Sequence, residues 1–231
     1  MLRTRVPKGR RVPPMKFVRP GLLLASALAI GECIYVALGA NFFVVIPGQY
    51  YRCSQPTPEF LATAVRSVGI RTIVNLRGDN SGKGWYDAER TTSERLGVPL
   101  VDISLASNCP PTTEQFRQLI DLIDHAPKPI LFHCHSGADR TGLASMMCQL
   151  LQPGSSLAQS RTQISLRYGH KFWSEAKRLH AIPDAYADWL KAAGELHTPE
   201  RFRRWGLTVY REETIWERLG LMPSTTIANK Q

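Results

Sequence analysis

Hydrophobic and polar positions along this chain fall into two alternating patterns. Four short apolar or β-branched runs have strand length: NFFVVIPG (41–48), RTIVNLR (71–77), VPLVDISL (98–105) and PILFHC (129–134). Segments with helical spacing lie between them. One opens at Thr57-Pro58-Glu59, with Pro at the first helical position. Another covers 85–96. A third is capped by Thr112 or Thr113 and runs to about Asp124. The fourth is LASMMCQLL (143–151), and the rest to about residue 220 reads as helix and loop. Strands alternating with helices predict an α/β layer fold, with a mostly parallel central sheet flanked by helices. PILFHC, apolar almost throughout, reads as a buried parallel strand. YYRCSQP follows the first strand without an element of its own.

One stretch breaks the pattern. GLLLASALAIGECIYVALGA (21–40) is twenty residues long with a single ionisable group, Glu32. That is the length a helix needs to cross a bilayer, although a charge at that depth costs a few kcal/mol. A transmembrane anchor over 20–40 is favoured over a buried core helix. It is also favoured over a signal peptide cut near Ala27-Leu28-Ala29, since cleavage there would leave too short an apolar segment. The organisation is then a basic tail (1–19), the anchor (20–40), one domain over 41–220, and a C-terminal tail (221–231).

Charge sharpens this division. The net charge is +10, but residues 1–19 hold seven basic side chains and no acid, and the remaining 22 basic residues face 19 acidic ones. The body has no basic stripe interleaved with aromatics, so a nucleic-acid partner is not expected. The positive-inside rule puts the tail in the cytoplasm and everything after residue 41 on the extracytoplasmic side of the cell membrane. Five cysteines, few, odd in number and widely spaced, are not a disulfide framework. Cys148 lies in an apolar helical run and reads as core. A Cys109–Cys134 disulfide under oxidation is a minority expectation.

The chemistry concentrates in His133-Cys134-His135-Ser136-Gly137-Ala138-Asp139-Arg140-Thr141-Gly142. Cys134 alone among the cysteines has an arginine six residues on. The pair lies between a buried strand and a helix, the context phosphate chemistry requires. A loop there turns its backbone N–H groups inward as an anion nest, and the helix N-terminus adds positive dipole. Both favour a phosphoryl dianion and the thiolate of Cys134. Gly137 allows the tight turn. Arg140 would grip two phosphate oxygens at once, which Lys cannot reproduce. Thr141 would hydrogen-bond the sulfur as it leaves. Cys134 is the candidate nucleophile of a phosphocysteine mechanism. Residues 135–138 and Arg140 form the candidate phosphate-binding set. His133-Cys134-His135 is not a metal site, because successive positions on a strand and its loop point apart and no second Cys/His pair has suitable spacing. No cofactor is expected.

This segment resembles the signature loop of the protein tyrosine and dual-specificity phosphatase superfamily. Tyr51-Arg52-Cys53-Ser54-Gln55-Pro56, Asn75-Leu76-Arg77-Gly78, Trp85-Tyr86-Asp87-Ala88-Glu89 and Leu166-Arg167-Tyr168-Gly169-His170 are similar to landmarks of a bacterial, often membrane-anchored, dual-specificity-like group. The resemblance covers roughly residues 41–190. It implies a phosphatase domain acting on a phosphorylated protein or a small phosphoester. Phosphotyrosine, phosphoserine/threonine, lipid and inositol phosphates all stay open, as does the oligomeric state. Many relatives carry Lys where Ala138 stands, a contact that His135 would partly replace, and Cys53 stands where Ser is usual.

Two carboxylates compete as general acid. Asp139, beside Arg140 in the loop, is favoured, because Asp-Arg-Thr loops of this type occur in phosphatases thought to use that Asp. Asp102 has the usual sequence separation but sits in an apparent strand. Asp139 has a helix cap or salt bridge as its bland alternative, and Asp102 a strand-end hydrogen bond. Arg52 and Arg77 are expected to form structural ion pairs, His133 to tune the cysteine by hydrogen bonding, and Trp85 and Tyr86 to pack. Two other functions are weighed. A rhodanese-like sulfur carrier has a differently built loop, and an inactive phosphate-binding adaptor usually lacks the cysteine or arginine that this chain keeps.

Overall fold

The structure, a computed structural model, describes residues 39–221 together with Gly31. The anchor expected over 20–40 lies outside the described residues apart from Gly31, Gly39 and Ala40, and so does the tail after Leu221. Among the described residues no helix is long and apolar enough to cross a membrane.

Five short strands form one mixed sheet: β1 (Phe43–Ile46), β2 (Tyr50–Cys53), β3 (Thr72–Asn75), β4 (Leu100–Asp102) and β5 (Ile130–His133), in the order β1-β2-β5-β3-β4. The three pairings among β2, β5, β3 and β4 are parallel, and β1 runs antiparallel to β2 at the edge. The expected parallel sheet is therefore present with one antiparallel edge. The sequence reading missed β2. Residues 46–50 make a tight reversal, and the two four-residue strands it joins read as one apolar stretch followed by a loop.

The helices follow from capping and burial. In α1 (Pro58–Val68) the Thr57 side chain accepts from the Phe60 N–H, and Gly69 ends the helix in the left-handed region. Helix α2 (Gly84–Leu96) also ends on a left-handed glycine, Gly97. Helix α3 (Thr113–His125) carries a full capping box between Thr112 and Gln115. Helix α4 (Asp139–Leu150) starts four residues before the expected 143, because the signature loop turns directly into it. Then come α5 (Leu157–Arg161), two 3-10 turns (Leu166–Tyr168 and Glu175–His180), α6 (Ala181–Ala193), α7 (Pro199–Arg204) and α8 (Glu212–Arg218).

Alternation along β5 assigns the two sheet faces. Ile130, Phe132 and Cys134 join the larger core with α3, α4 and α6, whereas Leu131 joins the smaller core with Leu61, Ala64, Ile73 and Val98 under α1 and α2. Every residue of α4 from Thr141 to Leu150 is buried. A helix enclosed on all sides needs no polar face, which is why 143–151 is apolar apart from Ser145 and Gln149. An aromatic cluster of Phe116, Phe202, Trp205 and Tyr210 closes the far end of that core.

Candidate active site

The parallel strands all end at one edge of the sheet, at Cys53, Asn75, Asp102 and His133. The segments that follow are Ser54-Gln55-Pro56, Leu76-Arg77-Gly78, Ile103-Ser104-Leu105 and the signature loop. Ligands of such sheets bind outside the carboxyl ends of the strands. Motifs spread from Ser54 to Gly142 are thus gathered at one place by strand direction alone.

The loop after β5 is shaped from outside. The His135 carbonyl accepts from the Gln55 N–H (3.1 Å), and the Ser136 carbonyl accepts from Asn41 Nδ2 (2.8 Å). Arg52 Nη2 donates to the Gly137 carbonyl (2.7 Å) and to that of Ala138 (3.4 Å). In a trans peptide the N–H points opposite to the carbonyl before it. Binding four successive carbonyls outward therefore turns the N–H groups of residues 136–139 inward, toward one centre. Gly137 has φ +72°, and a Cβ on it would lie 2.7 Å from the Cys53 carbonyl oxygen, so only glycine fits the loop there.

Arg52 is fully buried and makes no ion pair among the described residues. Its Nη1 donates to the backbone carbonyl and side-chain Oε1 of Gln163 (2.8 and 2.9 Å), and its guanidinium lies 3.8 Å from the centre of the Tyr168 ring. Burial lowers its pKa to about 10, against smaller opposing contributions from Tyr168, Cys134 and Cys53. The expected ion pair is corrected here. Arg52 bonds neutral carbonyls and holds a positive charge beneath the loop.

Cys134 is buried at the base of the loop. Arg140 is half-buried; its Nη1 donates to the Leu105 carbonyl (3.3 Å), while its Nε is buried with no partner. The Thr141 hydroxyl is likewise buried and has no hydrogen-bond partner among the described residues. Orphaned buried donors are uncommon and mark places where another group belongs. His135 and Ser136 are exposed at the mouth, and Ala138 is buried.

A polar chain runs in from the other sheet face. Arg77 Nη1 donates to Gln55 Oε1 (2.8 Å), and Gln55 Nε2 donates to Glu89 Oε2 (2.8 Å). Glu89 Oε1 lies 2.6 Å from His133 Nε2, off the line a hydrogen bond prefers, with both side chains buried. Arg77 makes no salt bridge among the described residues and stacks on Trp85 at 3.4 Å, which corrects the second expected ion pair. Burial, and then the neighbouring Arg140, lower its pKa. His133 pairs with Glu89 and makes no bond to the cysteine.

The two competing carboxylates have different surroundings. Asp102 accepts from Asn75 Nδ2 (2.7 Å) and Tyr86 OH (2.5 Å), so both its oxygens are engaged at the end of β4. Asp139 opens α4 directly before Arg140, and its Oδ1 lies 2.7 Å from Nδ1 of the fully buried His170. The described cysteines, Cys53, Cys109, Cys134 and Cys148, are all free, so Cys109 and Cys134 are not bridged. Burial holds the Cys53 and Cys148 thiols well above the ordinary cysteine value, leaving both as unreactive core thiols.

Residues 47–179, more than half of the chain, match the family model described as DSP-PTPase phosphatase fused to NAD+ kinase. The chain belongs to this phosphatase family. DSP-PTPases are phosphoric monoester hydrolases, so the rhodanese-like reading finds no support. Among solved structures the fold is similar to TpbA of P. aeruginosa (18% identity, 67% of this chain and 90% of that one, TM-score 0.52). It is also similar to a DUF442 protein of Shewanella putrefaciens (20% identity, 66% and 94%, TM-score 0.51). No curated protein matches the chain significantly in sequence.

Within this DSP-PTPase domain, Cys134, residues 135–138, Asp139, Arg140 and Thr141 form one continuous loop and helix start. Sequence reading missed Asn41, Gln163, His170 and His180. Asn41 lies 95 residues from the carbonyl it binds, and Gln163 lies 111 residues from Arg52. His170 carried a signal, as the last residue of the Leu166–His170 landmark, but nothing local says that it meets Asp139.

Proposed function

We propose that this phosphatase hydrolyses phosphomonoesters through a phosphocysteine at Cys134. The observation that supports this most is the outward binding of the four loop carbonyls, which turns their N–H groups toward the cysteine. These donors, from the backbone at residues 136–139, hold three non-bridging phosphate oxygens in a site already built before substrate arrives. Arg140 adds a two-point grip through its unpartnered Nε and its remaining Nη2.

In the first step the Cys134 thiolate attacks phosphorus. The bond to the leaving oxygen breaks and its electron pair stays on that oxygen. The carboxylic acid of Asp139 supplies the proton. In the second step water attacks phosphorus and the S–P bond breaks. The sulfur recovers its electron pair, helped by a hydrogen bond from Thr141. The Asp139 carboxylate takes the proton from water. Asp139 suits this role because only one of its oxygens is engaged, whereas both oxygens of Asp102 are bound. His135, exposed at the mouth, contacts the substrate in partial replacement of the Lys that many relatives carry where Ala138 stands. The substrate is a phosphorylated protein or a small phosphoester. In this reading residues 20–40 anchor the domain to the membrane and residues 1–19 face the cytoplasm.

The test is turnover of p-nitrophenyl phosphate by the purified full chain without added metal. Turnover that vanishes in Cys134→Ser supports the reading. Undiminished turnover in that variant, or strict dependence on a divalent ion, contradicts it.

A further inference from the structure

Behind the loop, three titratable side chains from three separate elements stand in a line. Asp139 Oδ1 lies 2.7 Å from His170 Nδ1, and His170 Nε2 lies 3.0 Å from His180 Nε2. His170 is fully buried, so both of its ring nitrogens are spoken for by these two partners. His180 ends the second 3-10 turn and is half-buried, nearer the surface. Phe172 packs edge-on against His170 (5.0 Å between centres) and tilted against His180 (5.3 Å), fixing both rings. A helix cap or surface salt bridge at Asp139 would need neither a buried imidazole nor a second one behind it.

Hydrogen bonding permits two neutral-imidazole arrangements here. In one, Asp139 is a carboxylate accepting from His170 Nδ1–H, and His170 Nε2 accepts from His180 Nε2–H. In the other, Asp139 is protonated and donates to His170 Nδ1, His170 Nε2–H donates to His180 Nε2, and His180 carries its hydrogen on Nδ1. The two differ by one proton. It enters at His180 Nδ1; the His180 Nε2 hydrogen moves to His170 Nε2, and the His170 Nδ1 hydrogen moves to Asp139. Every intermediate acceptor receives one hydrogen and gives one up.

We propose that His170 and His180 form a proton-carrying dyad that orients Asp139 and sets its protonation between turnovers. The proposal rests on the reading of Asp139 as the general acid. His170 is a positioning residue in this scheme, bonding one carboxyl oxygen so that the other stays available to the leaving group. His180 links the dyad to solvent. The groups facing it are His170, Phe172 and the Asp184–Arg161 ion pair, whose opposite charges act on it in opposite directions. Burial, and then His170, keep its pKa below the ordinary histidine value, so it rests neutral near pH 7 with a ring nitrogen free to take a proton.

The test compares two substrates on the purified full chain. p-Nitrophenolate leaves without help, whereas the phenolate of phenyl phosphate needs a proton in the transition state. His170→Leu is expected to lose about a hundredfold in kcat/KM, which reads the leaving-group step alone, on phenyl phosphate and less than about fivefold in kcat/KM on p-nitrophenyl phosphate. His170→Asn keeps a donor where Nδ1 stood but cannot pass a proton on, so it should recover only part of that loss; full recovery overturns the relay. His180→Gln should show the same substrate preference more weakly. Equal losses on both substrates, or none, overturn the dyad, because a loosened fold does not distinguish leaving groups. Asp139→Asn is the control for the underlying reading. If it is not selective for phenyl phosphate, Asp139 is not the acid. If it is selective and the histidine variants are not, the dyad alone falls. Nitrogen-15 spectra of the histidines read the dyad without turnover. Asp139→Asn should shift both the His170 and His180 ring nitrogens, and spectra that do not change overturn the coupling.

Discussion

Two arginines stand at the signature loop in different surroundings. Arg52 is fully buried and spends its two Nη groups on Gly137, Ala138 and Gln163, while half-buried Arg140 bonds only the Leu105 carbonyl among the described residues; the Nε of each is buried without a partner there. The shape of the guanidinium explains why each is an arginine. A planar fork reaches two acceptors in fixed directions, and an ammonium does not. Arg140→Lys is therefore predicted to lose a few kcal/mol of transition-state stabilisation while the fold is unchanged. Steady-state kcat/KM, read beside an unfolding curve, checks this; near-normal turnover would contradict the role. Arg52→Lys should do the reverse. Lysine cannot span Gln163 and Gly137, so losing charge-assisted hydrogen bonds should cost about 1.5–3 kcal/mol of stability. Urea unfolding measures that loss, and an unchanged midpoint would contradict it. The residue types of the loop were legible in the sequence, because Cys, Gly, Arg and Thr are at fixed offsets between a strand and a helix. The partners of Arg52 and Arg77 were not. A charged side chain suggests an opposite charge, yet both settle on neutral groups, Arg52 on carbonyls and Arg77 on Gln55 and Trp85.

At the scale of elements, the loop between β5 and α4 depends on contact with the end of β2. Gly137 meets the Cys53 carbonyl so closely that a methyl group there would sit 2.7 Å from it, at a φ of +72°. Gly137→Ala is expected to displace the loop and reduce turnover more than tenfold, by analogy with the cost of misplacing a reacting group by about 1 Å. A crystal structure or amide spectrum of the variant would show the displacement; an undisturbed loop with full turnover would refute the contact's importance. Helices with strong caps, such as α3, were readable to within a residue. Strand β2 was not, because a four-residue strand after a tight turn has no periodicity of its own. The start of α4 was also hidden. Gly137 and Ala138 look like loop, and Asp139 enters the helix without a side-chain cap.

For the whole molecule, chain direction accounts for the site. Parallel strands deliver four motif-bearing loops to one edge, and the signature helix is buried beneath them. The fold class followed from alternating strand and helix patterns, whereas the contacts that complete the site span long separations, such as 95 residues between Asn41 and Ser136. Such pairings leave no local mark in a single sequence. Topology with respect to the membrane rests on the sequence alone. Seven basic residues precede the apolar stretch, so a C-terminal alkaline-phosphatase fusion is predicted to be active and a cytoplasmic reporter at the same position inactive. The opposite pattern would reverse the orientation.

The central claim is that phosphate passes through the sulfur of Cys134. The direct measurement is acid-quenched mass spectrometry of the full chain mixed rapidly with p-nitrophenyl phosphate. One phosphoryl group on the peptide containing Cys134, formed within the first turnover and absent in Cys134→Ser, is the predicted result. Phosphate on an aspartate or histidine instead, or turnover that continues in Cys134→Ser with no labelled peptide, would contradict it.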